Sequence, residues 1–172
     1  MSRPLRTALL LLALAGCASK PELPPSAVRS GHLSTLAALP AVNAAPYAPA
    51  PLQGQVVLVA FVASWCTPCL AQLPALTKLQ RELGPQGLRT VAVGMDLEGE
   101  EVLAPFAEYY AFPFPLVVAD ERLRSGDTPF GRVGALPTFF LLDRRGELLA
   151  AWEGMAQQEK LEQTVRKVVE AR

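Results

Sequence analysis

The sequence has little cysteine, a single histidine, and no excess of either charge. Three cysteines in 172 residues are too few for a disulfide scaffold and too few for a four-cysteine metal site. Zinc would need four ligands, and with one histidine the chain does not offer a plausible set, so no metal is expected. Lys and Arg number 16 and Asp and Glu number 16, with no basic block, which argues against nucleic acid as a partner. No run of 18 apolar residues is present, so a membrane-spanning helix is not expected. Charged residues are only 19% and hydrophobic residues 51%, which excludes global disorder. The length suits one domain with a sizeable core.

What is present begins at the N-terminus. Arg3 and Arg6 precede a short apolar run, Thr7 to Ala15, then Gly16 and Cys17. This is the layout of a secretory signal, too short for a stable span. Leu14-Ala15-Gly16-Cys17 resembles a bacterial lipobox. The resemblance implies cleavage before Cys17 and lipidation of Cys17, with residues 1–16 as signal peptide. Two or more acyl chains hold a protein firmly at a bilayer surface, whereas one is marginal. The expected location is the cell envelope, on the periplasmic side, with the outer membrane suggested by Ala18 after the lipidated cysteine. Loss of Arg3 and Arg6 leaves 14 positive against 16 negative residues, a mildly acidic mature chain.

Residues 17–51 are rich in proline and alanine and read as a semi-rigid tether. Within it, Gly31 to Leu39 is more apolar and is expected to pair as an edge strand. His32 is expected in a loop.

From Leu52 to the C-terminus the chain reads as one α/β domain. Val56 to Val62 is a continuous apolar run suited to a central strand covered on both faces. A helical stripe follows from Cys66 to Leu83, through Leu70, Leu73, Leu76 and Leu79. Strands are expected at Leu88–Met95, Phe114–Ala119, Thr138–Leu142 and Leu148–Trp152. Helices are expected at Gly99–Tyr110 and Met155–Arg172, with a short helix or loop from Asp120 to Arg132. Alternation of strand and helix implies parallel strands. Asp143-Arg144-Arg145-Gly146 adds an antiparallel hairpin. The outcome is a mixed central sheet flanked by helices.

Chemistry concentrates at Trp65-Cys66-Thr67-Pro68-Cys69, where the first strand meets the first helix. A cysteine at a helix N-terminus faces unpaired N–H groups that favour its thiolate. The two-residue spacing lets the second sulfur reach the first, and Pro68 suits a first helical turn. Cys66 can attack a disulfide and Cys69 can resolve the mixed species. No external cofactor is needed beyond a Cys66–Cys69 disulfide.

These residues, with Pro74 five positions after Cys69 and the run Gly134-Ala135-Leu136-Pro137-Thr138-Phe139-Phe140, resemble the thioredoxin superfamily. They most resemble its membrane-tethered TlpA/ResA-like thiol-disulfide oxidoreductases. The resemblance implies a thioredoxin fold with a TlpA-type helix-strand insertion near residues 97–119. It implies a cis bond before Pro137 and a substrate surface of Trp65, Thr67, Pro68, Leu136 and Pro137, where Leu136 offers its backbone to an extended peptide. It also implies protein disulfide substrates, a DsbD- or CcdA-like membrane dithiol donor, a monomer, and cytochrome c maturation as the best-known role. A dithiol oxidase or isomerase, or a non-catalytic binding lipoprotein, are the competing readings.

Two positions depart from the family. Ala60 stands where thioredoxins carry a buried Asp, and Gln72 where ResA-like chains often carry Glu. Neither can take a proton. Asp96, Glu98, Glu100 and Glu101 follow the second strand; they could approach the cysteine site, but a solvated loop is the expected placement. Thr67 and Pro68 carry no charge to stabilise the Cys66 thiolate, so a reducing couple is expected.

Overall fold

In the computed structural model, residues 31–43 and 52–171 are described. The signal segment, Cys17 and the rest of the predicted tether lie outside them. The elements are α1 (Gly31–Ala38), β1 (Val56–Val62), α2 (Thr67–Leu83), β2 (Leu88–Gly94), α3 (Glu100–Tyr110), β3 (Leu116–Val118), α4 (Glu121–Ser125), β4 (Thr138–Leu142), β5 (Leu148–Glu153) and α5 (Gln158–Glu170). The five strands form one sheet in the order β3-β2-β1-β4-β5. β1, β2 and β3 run parallel, while β4 and β5 are antiparallel to their neighbours.

β1 is buried along its whole length, which is why its sequence is apolar at every position and not at alternate ones. Its pleat sends Val56, Leu58, Ala60 and Val62 into one core and Val57, Val59 and Phe61 into the other. The first core is closed by leucines of α2, by Leu103 and Phe106 of α3, and by Leu161, Val165 and Val169 of α5. The second is closed by Leu33 and Leu36 of α1, by Leu123 of α4, and by Phe130 and Phe140. Phe61 meets Phe130 and Phe140 edge-on, at centroid distances of 5.4 and 5.5 Å.

Expectations for residues 31–43, for His32 and for the acidic stretch after β2 are corrected. Gly31–Ala38 is a helix, not an edge strand. Its buried leucines stand three apart, a helical interval, and the segment lacks strand alternation. Pairing at the sheet edge falls just beyond it, where Ala41 bridges Val117 and Val42 N–H donates to the Leu116 carbonyl at 2.9 Å. Residues 31–43 thus pack on the domain, although the composition placed them in the tether. His32 lies in α1 and not in a loop, with its ring edge-on to Phe130 at 4.9 Å. Asp96 is buried at 1% exposure and not solvated; Glu98 is exposed in the loop as expected, whereas Glu100 and Glu101 are exposed in the first turn of α3 and not in a loop.

Candidate active site

β1 ends at Val62, and the chain turns through Ala63, Ser64 and Trp65 before α2 begins at Thr67. Cys66 is the N-cap of α2, and its Sγ accepts the Cys69 N–H at 3.2 Å. The sulfur therefore takes the place that a serine or aspartate oxygen fills in ordinary caps. Pro68 occupies the first turn, where its missing N–H leaves no carbonyl unpaired. Cys66 and Cys69 are joined by a disulfide, with Cα atoms 5.2 Å apart. Both are nearly covered, at 4% and 1% exposure, and only the Cys66 side opens on a cleft.

That cleft, of about 520 Å³, is lined by Trp65–Pro68, by Met95 at the end of β2, and by residues 133–136. Apart from Cys66, its lining holds no ionisable side chain. Trp65 is 70% exposed beside it. The Leu136–Pro137 bond is cis, as expected. Pro137 is buried, and Leu136 is half-buried at the cleft. Neither the N–H nor the carbonyl of Leu136 hydrogen-bonds within the described residues, so both can meet an extended chain laid in the cleft. The structure thus brings together Trp65, Cys66, Thr67, Pro68 and Leu136 on one cleft, with Pro137 and Cys69 beneath it.

Behind the disulfide the surroundings are apolar. Ala60 is fully buried in the core that contains both cysteines. Gln72 is buried one turn after Cys69; its Nε2 donates to the Ala156 carbonyl at 3.3 Å, and its Oε1 has no partner among the described residues.

Sequence reasoning missed the Ser64–Asp96 link. The Asp96 carboxylate accepts the Ser64 hydroxyl at 2.5 Å and the Ser64 N–H at 3.1 and 3.2 Å. The partners are 32 residues apart, so no local motif announces the contact.

A larger cleft, of about 750 Å³, lies at the opposite end of β1, beside Val56, Arg144, Arg145 and Lys167. Its lining holds no cysteine, and the redox pair is remote from it along the strand. No group of three or more metal-ligating side chains occurs among the described residues. No helix among them is long and apolar enough to cross a membrane.

The AhpC/TSA family model matches residues 36–151, and the chain belongs to that family. It is 31% identical to the thiol-disulfide oxidoreductase ResA of Geobacillus kaustophilus, over 67% of this chain and 64% of that one. A candidate thiol:disulfide interchange protein DsbE from Chlorobium tepidum superposes with a TM-score of 0.60 at 30% identity, over 69% of this chain and 82% of that one. The exposed lipoprotein thioredoxin Etrx1 of Streptococcus pneumoniae is 26% identical with a TM-score of 0.53, over 67% and 87% of the two chains. The chain spans 64% to 65% of the length of the first curated relatives it matches. The fold is the thioredoxin fold of these proteins.

Proposed function

We propose that this protein is a thiol-disulfide oxidoreductase that reduces disulfides in exported proteins, with Cys66 as nucleophile and Cys69 as resolver. The observation that carries the reading is the Cys66–Cys69 pair at the N-terminus of α2, opening on an uncharged cleft beside the free backbone of Leu136.

In the reduced protein the Cys66 thiolate attacks one sulfur of a substrate disulfide. A Cys66–substrate disulfide forms and the other substrate sulfur leaves as a thiolate. Cys69 then loses its proton and attacks the Cys66 Sγ, which expels the second substrate sulfur and closes Cys66–Cys69. Two electrons pass to the substrate, and its two sulfurs are protonated. Trp65, Thr67 and Pro68 form the contact surface, while Leu136, held beside Pro137, pairs with the substrate backbone. This main-chain pairing gives affinity without demanding a sequence. Gln72 can hydrogen-bond but not accept the Cys69 proton, which passes to water.

The Leu14-Ala15-Gly16-Cys17 motif supports a lipid anchor at Cys17, after removal of residues 1–16, on the periplasmic side of the envelope. A reductase there needs electrons from a membrane dithiol donor of the DsbD or CcdA type. Apocytochromes c are one class of exported substrate that the resemblance to TlpA/ResA-like proteins implies. The test is insulin reduction by the full chain with dithiothreitol as donor. The wild type accelerates the reaction and Cys66→Ser abolishes the acceleration. A wild-type protein no faster than dithiothreitol alone refutes the activity and favours a binding lipoprotein.

A further inference from the structure

Asp96 is a buried carboxylate that the exchange chemistry does not use. It stands at 1% exposure just past the end of β2, and no ion pair among the described residues includes it. Burying a charge without a counter-cation is costly unless hydrogen bonds replace water. Among the described residues, all the hydrogen bonds that the carboxylate accepts come from one residue, Ser64, through its N–H and its hydroxyl. Ser64 is two residues before the nucleophile, within about 7.6 Å of it along the Cα trace.

The turn that Ser64 belongs to is the one that aims Cys66. The Cys66 N–H donates to the Ala63 carbonyl at 3.1 Å, so Ala63 to Cys66 is a closed turn with Ser64 inside it. Asp96 holds that turn from the neighbouring strand. Asp96 is itself held on both sides. The preceding Met95 N–H extends the ladder to the Val62 carbonyl at 2.8 Å, and Arg124 on α4 donates to the Asp96 carbonyl at 2.9 Å. The guanidinium thus goes to the Asp96 carbonyl, while the carboxylate faces the Cys66 turn through Ser64.

We propose that Asp96 is a positioning residue for Cys66: through Ser64 it fixes the turn that presents the sulfur, and its charge opposes the Cys66 thiolate. The inference rests on the exchange activity proposed above. Besides the Arg124 guanidinium on the Asp96 carbonyl, the charged groups near this end of the domain are placed elsewhere. Asp120 caps α4 by accepting the Leu123 N–H, Glu153 lies at the rim beside Gly134, and Glu98 is exposed. The cleft lining adds no charge. A negative charge near a thiol raises its pKa, because it disfavours the thiolate. The tether speeds attack by holding the sulfur in place, while the charge limits how acidic that sulfur becomes. A less stable thiolate also leaves the dithiol a better reductant.

The two effects separate in two variants of the full chain. Asp96→Asn keeps hydrogen-bonding capacity at the site and removes the charge. Ser64→Ala keeps the charge and removes the hydroxyl tether. The readout is the rate at which the reduced protein attacks a small aromatic disulfide, followed from about pH 5 to 10. Asp96→Asn is expected to lower the midpoint of the rate profile by on the order of one pH unit. Ser64→Ala is expected to leave the midpoint where it is, or higher, and to lower the high-pH plateau by about fivefold. An Asp96→Asn profile that superimposes on the wild type overturns the charge effect. A Ser64→Ala plateau equal to the wild type overturns the tether. Failure of the underlying activity is distinguishable, because then the wild type itself shows no thiolate-dependent attack.

Discussion

The Gln72 side chain donates to the carbonyl of Ala156 at 3.3 Å, and so ties the turn after Cys69 to the loop before α5. Its Oε1 is buried and unpartnered among the described residues. An acid at this site would face the same carbonyl in an apolar setting. Burial disfavours its charged form, and a protonated carboxyl can donate to Ala156. Gln72→Glu therefore adds a group that can exchange protons with Cys69 near neutral pH. The resolving step is expected to accelerate about tenfold, less than the ~100-fold or more of a fully placed general acid or base. Stopped-flow kinetics of mixed-disulfide resolution checks it, and an unchanged rate argues against the proton limitation.

The second prediction concerns Gly94, the last residue of β2. A Cβ built there would lie 2.3 Å from Leu103 Cδ1 and 2.6 Å from Cδ2. Leu103 is fully buried, so its methyls have nowhere to go. Gly94→Ala is expected to cost about 1–3 kcal/mol through overpacking. Urea denaturation measures it, and combination with Leu103→Val should recover part of the loss.

Helix α1 is the third case. Leu36 is 2% exposed in the core that also holds Phe61 and Phe130. Because α1 packs into this core, Leu36→Ala should destabilise the whole cooperative unit by about 2–5 kcal/mol. A denaturation midpoint equal to the wild type would mean that α1 does not contribute to global stability.

Helices α2 and α5 are clamped by Lys78–Glu162 at 2.9 Å and by Arg166–Glu82. The hydrogen bond from Gln158, then the one from Lys78, holds the Glu162 carboxyl below its ordinary pKa of 4.5. The folded state thus favours the ionised form. The resulting stability is fully present above the ordinary value and is lost as pH falls through the lowered one. Glu162→Gln should therefore flatten the acid limb of the stability profile. Urea midpoints of wild type and variant, measured from neutral pH into the acid range, should converge as pH falls.

The sequence made most of the architecture legible because burial leaves a pattern. β1 is apolar throughout since both its faces are covered, and α2 repeats leucine at helical intervals. The cysteine motif named its own chemistry because its spacing and its place at a helix start are local properties. Two features were hidden for physical reasons. Gly31–Ala38 is short and lies among prolines and alanines, and its helical form depends on a core that the segment does not reveal. Asp96 sits in an acidic stretch that reads as solvated, and only the parallel pairing of β1 with β2 brings it to Ser64.

The central claim is that Cys66 attacks and Cys69 resolves. The measurement that tests it most directly is trapping with Cys69→Ser in the reduced full chain, mixed with a disulfide-containing protein and mapped by mass spectrometry. A stable mixed disulfide is expected at Cys66, one that the wild type releases and that Cys66→Ser does not form. A Cys69→Ser protein that forms no such species, or a Cys66→Ser protein that forms an equally abundant one at Cys69, would contradict it.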